Sequence, residues 1–176
     1  VKIAIAILAI LTVAIAVVLL LGALQPLNHT ASIAGSIDAP PAQVFAIITD
    51  VAEGPRWRHQ VKSVQMLPPQ DGRERWVETL DHNRKMAFLA LRTIPPSPDG
   101  HALREVQLND PDASYGGTWT YTIVPGPTPT TTVLTITEDG FIKPWLYRFM
   151  MAHVVGMKRN LDQYMHDLQA ATQTAP

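Results

Sequence analysis

The sequence predicts an α+β domain, one long antiparallel sheet with a long helix laid across it, behind a single membrane-crossing helix. Three observations carry this expectation. Seven strand-like runs are mostly separated by turn chemistry alone, which leaves no room for the crossover helices that parallel strands need. One stretch with helical periodicity closes the chain. Ahead of both, Ile3 to Ala23 (IAIAILAILTVAIAVVLLLGA) is aliphatic on every face.

That first run is 21 residues, or roughly 31 Å as a helix, the thickness of a bilayer's hydrocarbon core. A cleavable signal needs a shorter apolar stretch and a small-x-small site, and GALQP is a poor one. The expectation is therefore an anchor over residues 1–24, with an uncleaved signal as its variant, then a linker over 25–30. Lys2 precedes the span and the next cation is Arg56. The positive-inside bias then predicts a single-pass protein with its domain on the extracytoplasmic side.

The domain itself is expected over 31–172, with a tail at 173–176. Thr30 to Ile37 alternates as a strand. Asp38 is placed to cap the next helix, Pro40 and Pro41 suit its first turn, and Val44, Phe45, Ile47 and Ile48 give it an apolar face. DVAEGPRWRHQVKSV follows, broken by Gly54-Pro55, and reads as a short second helix leading into a strand. Six further strands are predicted at Val61–Leu67, Glu74–Leu80, Lys85–Ile94, His101–Asn109, Tyr115–Val124 and Thr130–Ile142, separated by PPQDG, DHN, PPSPDG, NDPDAS and PGPTP. From about Pro144 to Thr172 the residues Leu146, Phe149, His153, Met157, Leu161, Tyr164 and Leu168 recur every three or four positions, the buried stripe of one long helix.

Composition excludes several function classes. With 14 Lys+Arg against 15 Asp+Glu and no run of like charge, the chain lacks the cations that give nucleic acid affinity. It has no cysteine, so neither disulfides nor thiolate chemistry. There is no His-Glu-x-x-His, NDPDAS lacks the length and glycine of a calcium loop, and no Gly-x-Ser-x-Gly elbow occurs. No metal and no cofactor is expected. Gly116-Gly117 precedes a strand rather than a helix, which suits strand curvature and not phosphate binding.

The order of elements, together with IDAPPAQVFAIITD, WRHQVKSV, YGGTWTYTI, LTITEDGFI leading into KPWLYRF, and the terminal helix, resembles the START-like superfamily, also called SRPBCC or polyketide cyclase/dehydrase-like. The resemblance spans Ala31 to Ala171, and the chain looks like a membrane-anchored member. It implies a helix-grip fold, in which a curved sheet of about seven strands wraps the C-terminal helix around a deep apolar cavity. Its members bind lipids, sterols, polyketides or other hydrophobic ligands, and a minority are cyclases or hydrolases.

In such a fold, strand alternation sorts the cavity lining. Trp76 and Glu78 share one face, Trp119 and Tyr121 another, and Glu138 shares a third with Leu134 and Ile136. For the rings, core packing and ligand contact are both open. An acid on an apolar face needs a cation or a proton, and Arg104 is the expected partner, against the plainer alternative of acids at strand ends in water. Phe149, His153 and Met157 are candidates on the helix stripe, His153 being a core residue or a ligand contact. Trp57 is expected at the cavity rim, with Arg56, Arg58 and His59 as its solvated shoulders. KPWLYRFMMAHVVG also reads as an interfacial membrane helix, with Lys143 and Arg148 beside Trp145, Tyr147 and Phe149.

Three functions remain: a membrane-tethered module binding a hydrophobic small molecule or lipid, a cyclase or dehydratase using the polar cavity residues, and an assembly domain with a collapsed cavity. The absence of a catalytic constellation favours the first, with the membrane and an apolar ligand as partners.

Overall fold

The computed structural model describes residues 1–174. Helix α1 (Lys2–Leu24) is long and apolar enough to cross a membrane, with a mean hydropathy of 3.3 in its most apolar window. Its side chains are exposed all round, and among its residues only Gly22 is buried. Strand β1 (Asn28–Ile37) begins inside the expected linker, so residues 28–30 are strand. Next come α2 (Pro41–Thr49), a 3-10 turn, and the short α3 (Gly54–Trp57). Asp38 does not cap α2: the helix starts after Pro40, and no side chain caps it.

Six strands follow: β2 (Val61–Gln70), β3 (Arg73–Leu80), β4 (Lys85–Ile94), β5 (Ala102–Leu108), β6 (Tyr115–Pro125) and β7 (Thr132–Ile142). They join β1 in one antiparallel sheet of order β1-β7-β6-β5-β4-β3-β2. Register shifts in β2 and at Ala90/Arg92 in β4 add the local bends by which a sheet curls. The curled face holds Ile37, Ile123, Leu134 and Ile136, fully buried against Val44 of α2 and Leu168 of the terminal helix. That helix comes close because β1 carries Gly35, where a Cβ would stand 3.1 Å from the Met165 sulfur.

The single long helix expected from Pro144 is in fact two. Helix α4 (Trp145–Met150) runs into one wide π-type turn, Met151–Val155, and stops at Gly156. Gly156 has φ 89° and ψ 132°, a backbone state closed to most L-residues, so the stripe cannot continue. Only α5 (Arg159–Thr174) lies in the grip of the sheet. Helix α4 packs instead on the last turn of α1, where a Cβ on Gly22 would run into the Trp145 carbonyl. Arg148 Nε donates to the Gly22 carbonyl oxygen at 3.1 Å.

Candidate functional site

Between the curled sheet and α5 lies a cavity of about 210 Å³. Trp76, Phe88, Trp119, Tyr121 and Ile136 line it from the strands, Leu161 and Tyr164 from α5, and Trp57 from α3. Alternation explains the strand contribution, since each of these side chains points to the concave face. Aromatic packing fixes the wall: Trp76 stacks on Phe88 (5.5 Å between centroids), Phe88 meets Trp119 (6.0 Å), and Tyr121 leans on Tyr164 (5.2 Å). Trp57 meets Tyr164 edge-on at 5.2 Å and lines the same cavity.

The polar groups differ from expectation. Glu78 is 3% exposed and its partner is not Arg104 but Arg58, whose guanidinium donates to Glu78 Oε1 at 2.6 Å. The Trp76 indole N–H donates to the same oxygen at 3.1 Å. Arg58 is therefore no solvated shoulder: the chain turns from α3 into β2 at this residue, aiming it inward over the Tyr164 ring at 5.3 Å. Arg104 is buried more deeply than Arg58, yet it pairs with Glu74 and Thr93 Oγ1 at the sheet and lies 5.6 Å from the Trp76 ring centroid. Register explains this, because Arg104 sits opposite Thr93 of β4 whereas Glu78 sits opposite Met86, seven residues away along that strand, so Arg104 reaches the Glu74 end of β3 instead. Arg56 is solvated beside Glu53, whereas His59 bonds Asp167 on α5 at 2.8 Å.

Electrostatics set what these groups can do. Burial is the strongest single influence and works against the Arg58 charge, but Glu78, Tyr164 and Tyr121 together outweigh it and raise its pKa above the ordinary value. Burial pushes the Tyr121 hydroxyl up to about 12, and burial with the neighbouring Tyr121 raises Tyr164 well above its usual value. Both phenols are thus neutral at physiological pH. Glu138 lines the cavity elsewhere, 3.4 Å from His29 Nε2. Burial raises its pKa, with His29 and the Trp119 indole acting in the other direction. Two N–H donors on lining residues, Trp57 Nε1 and Arg104 Nε, are buried without a partner.

Of the predicted site residues, Trp57, Trp76, Glu78, Arg104, Trp119, Tyr121 and Glu138 line this one cavity. Phe149 and His153 do not. They stand on α4 and its wide turn, where Phe149 packs on His153 (5.0 Å) and Gln25 hydrogen-bonds His153 Nε2. Met157 packs against the core beyond Gly156 but does not line the cavity. Sequence reasoning passed over Tyr164, although it sits on the helix stripe, and also His29 and Asp167. Nothing local marks Arg58 apart from Arg56, since both flank Trp57 and only the turn after α3 separates their fates. Among the described residues no group of His, Asp and Glu side chains could hold a metal ion.

Comparison with solved structures agrees with this geometry. A START superfamily protein from Mycobacterium smegmatis superposes with a TM-score of 0.60 at 17% identity, over 82% of this chain and 97% of that one. An aromatase/cyclase from Streptomyces sp. R1128 gives 0.64 at 14%, over 83% and 94%. Norcoclaurine synthase from Thalictrum flavum gives 0.61 at 11%, over 89% and 92%. At such identities the likeness shows the fold alone. No curated protein sequence matches the chain. The family described as polyketide cyclase / dehydrase and lipid transport, however, matches residues 29–173, and with the seven-stranded sheet gripping α5, the chain belongs to that family, a member of the START-like superfamily with a helix-grip fold.

Proposed function

We propose that this protein is a membrane-anchored binding protein for a small, mainly apolar molecule that carries an oxygen acceptor. One observation carries the reading: an aromatic-walled cavity in which the Arg58–Glu78 pair and the neutral Tyr121 and Tyr164 hydroxyls are brought together. Aromatic walls remove apolar surface from water at about 25 cal/mol per Å², and a few fixed donors orient what enters. The two unpartnered donors on lining residues point the same way, since an acceptor reaching either one would remove a cost of about 1–3 kcal/mol. At about 210 Å³ the cavity is below the roughly 300–1,000 Å³ of common ligand pockets. The ligand is accordingly small, or Trp57 swings aside to admit a larger one. Helix α1 supports the anchoring.

Native mass spectrometry of the detergent-solubilised full chain, followed by organic extraction, tests the reading. An apolar molecule should co-purify and its occupancy should fall in Tyr164→Phe, with Trp57→Ala exchanging it faster. A chain that purifies empty and takes up no apolar ligand from a lipid extract would sink the proposal.

A second reading has its own support. Glu138, a cavity carboxyl with a raised pKa beside His29, has the makings of a proton carrier for cyclase or dehydratase chemistry. Turnover of a polyketide-like substrate that is abolished by Glu138→Gln, with binding retained, would favour an enzyme.

A further inference from the structure

We infer that α4 and its wide turn form a seat in the headgroup layer of the membrane that α1 spans, with anionic lipid as the partner surface. The inference rests on the anchoring role proposed for α1. Exposed apolar side chains cluster here more densely than elsewhere on the domain: Trp145 is 55% exposed and Tyr147 62%, with Leu146, Met150 and Val154 beside them. Their place relative to the span decides what covers them. The Gly22 carbonyl takes the Arg148 hydrogen bond and Gly22 packs against the Trp145 backbone, two residues before α1 ends at Leu24. The patch therefore lies level with the last turn of the apolar run, at the depth where a bilayer's hydrocarbon gives way to headgroups.

Composition fits that layer. Trp and Tyr concentrate at membrane interfaces because each has an apolar body and a polar tip. From Gly140 to Leu161 the chain carries Lys143, Arg148, Lys158 and Arg159 and no acid, although the whole chain has a net charge of −1. Lys143, Lys158 and Arg159 are exposed, so they present cations to lipid phosphates around the apolar patch. Seating this segment also orients the cavity. Leu161 and Tyr164 follow it directly on α5, and Tyr115, another lining residue, pairs with Ile142 at the strand end from which α4 departs. An apolar ligand would then reach the cavity from the leaflet rather than through water.

The chain has no cysteine, so a single introduced one carries a single label. The full chain would be reconstituted in phosphatidylcholine/phosphatidylglycerol vesicles containing brominated lipids, with an NBD fluorophore placed in turn at Tyr147→Cys, Val154→Cys, Leu11→Cys within the span, and Asp99→Cys. Asp99 lies between β4 and β5, at the opposite end of the sheet from α4. The expected result is quenching at 147 and 154 several-fold above that at 99, together with quenching at 11. If position 11 is quenched while 147 and 154 behave like 99, the seat does not exist. A blue-shifted but unquenched label at 147 would mean that a protein surface, such as a second copy, covers the patch, which also overturns it. If position 11 itself escapes quenching, the anchoring role fails and the seat falls with it.

Discussion

Glu78 shows how much one side chain depends on its partner. It accepts from Arg58 and from the Trp76 indole while almost wholly removed from water. Glu78→Gln keeps an acceptor oxygen and loses the charge, leaving Arg58 without its counter-ion. The expected cost is about 1.5–3 kcal/mol in a denaturant titration, at the lower end because Arg58 is 26% exposed. Reduced ligand occupancy should accompany it. An unchanged unfolding midpoint would show that the pair contributes nothing net. Glu138 makes a prediction of opposite sense. Its folded-state pKa is raised, so its contribution to stability is fully present below the unfolded value of about 4.3 and is lost as pH rises through the folded value. Relative to wild type, Glu138→Gln should therefore gain melting temperature as pH is raised through and above the carboxylate range. A difference between the two proteins that does not change with pH would mean that the carboxyl is not shifted. At this scale the sequence was partly legible: alternation marked both acids as concave-facing, but no local signal said which arginine would reach which acid.

Most elements obey their local rules; the uncapped start of α2, the early start of β1 and the break at Gly156 are the exceptions. Most strand boundaries follow from alternation and from the Gly and Asp turns, whereas β2 runs through Pro68, Pro69 and Gln70 of the expected PPQDG turn and ends only at Asp71-Gly72. Helix periodicity, by contrast, ran straight through Gly156. Phe149 and His153 keep the spacing of Leu161, Tyr164 and Leu168, yet the two sets face different partners, the end of α1 for the first and the sheet for the second, while Leu146 on the same stripe is exposed. A stripe reports that a face is covered and not by what. Gly156 is the test of this division. No atom lies within 4 Å of where its Cβ would be, so Gly156→Ala introduces no clash, only the strain of holding φ at 89°. About 1–3 kcal/mol of destabilisation is expected, measurable by thermal unfolding. A neutral effect would mean that the backbone relaxes there and that the break between α4 and α5 is soft.

On the scale of the whole molecule, the span and the domain are joined by a small contact. Gly22 is the one buried residue of α1, and Arg148 loses its carbonyl partner if the helix is removed. Deleting residues 1–24 should release the chain from the membrane fraction and lower the melting temperature by only a few degrees, since one hydrogen bond to a charged group is worth about 1.5–3 kcal/mol. A loss of more than about 10 °C in calorimetry would make α1 an integral part of the domain instead. By itself the sequence determined the fold class, the strand list, the apolar span and the alternation that puts Trp119 and Tyr121 on one strand face and Trp76 and Glu78 on another, all of which depend on residues near one another along the chain. Only the tertiary structure decided that Arg58 rather than Arg104 meets Glu78, that Glu138 meets His29, and that Phe149 and His153 belong to the contact with α1. Those pairings join residues up to about a hundred positions or more apart, and what brings them together is sheet register and one positive-φ glycine, neither of which leaves a periodic trace.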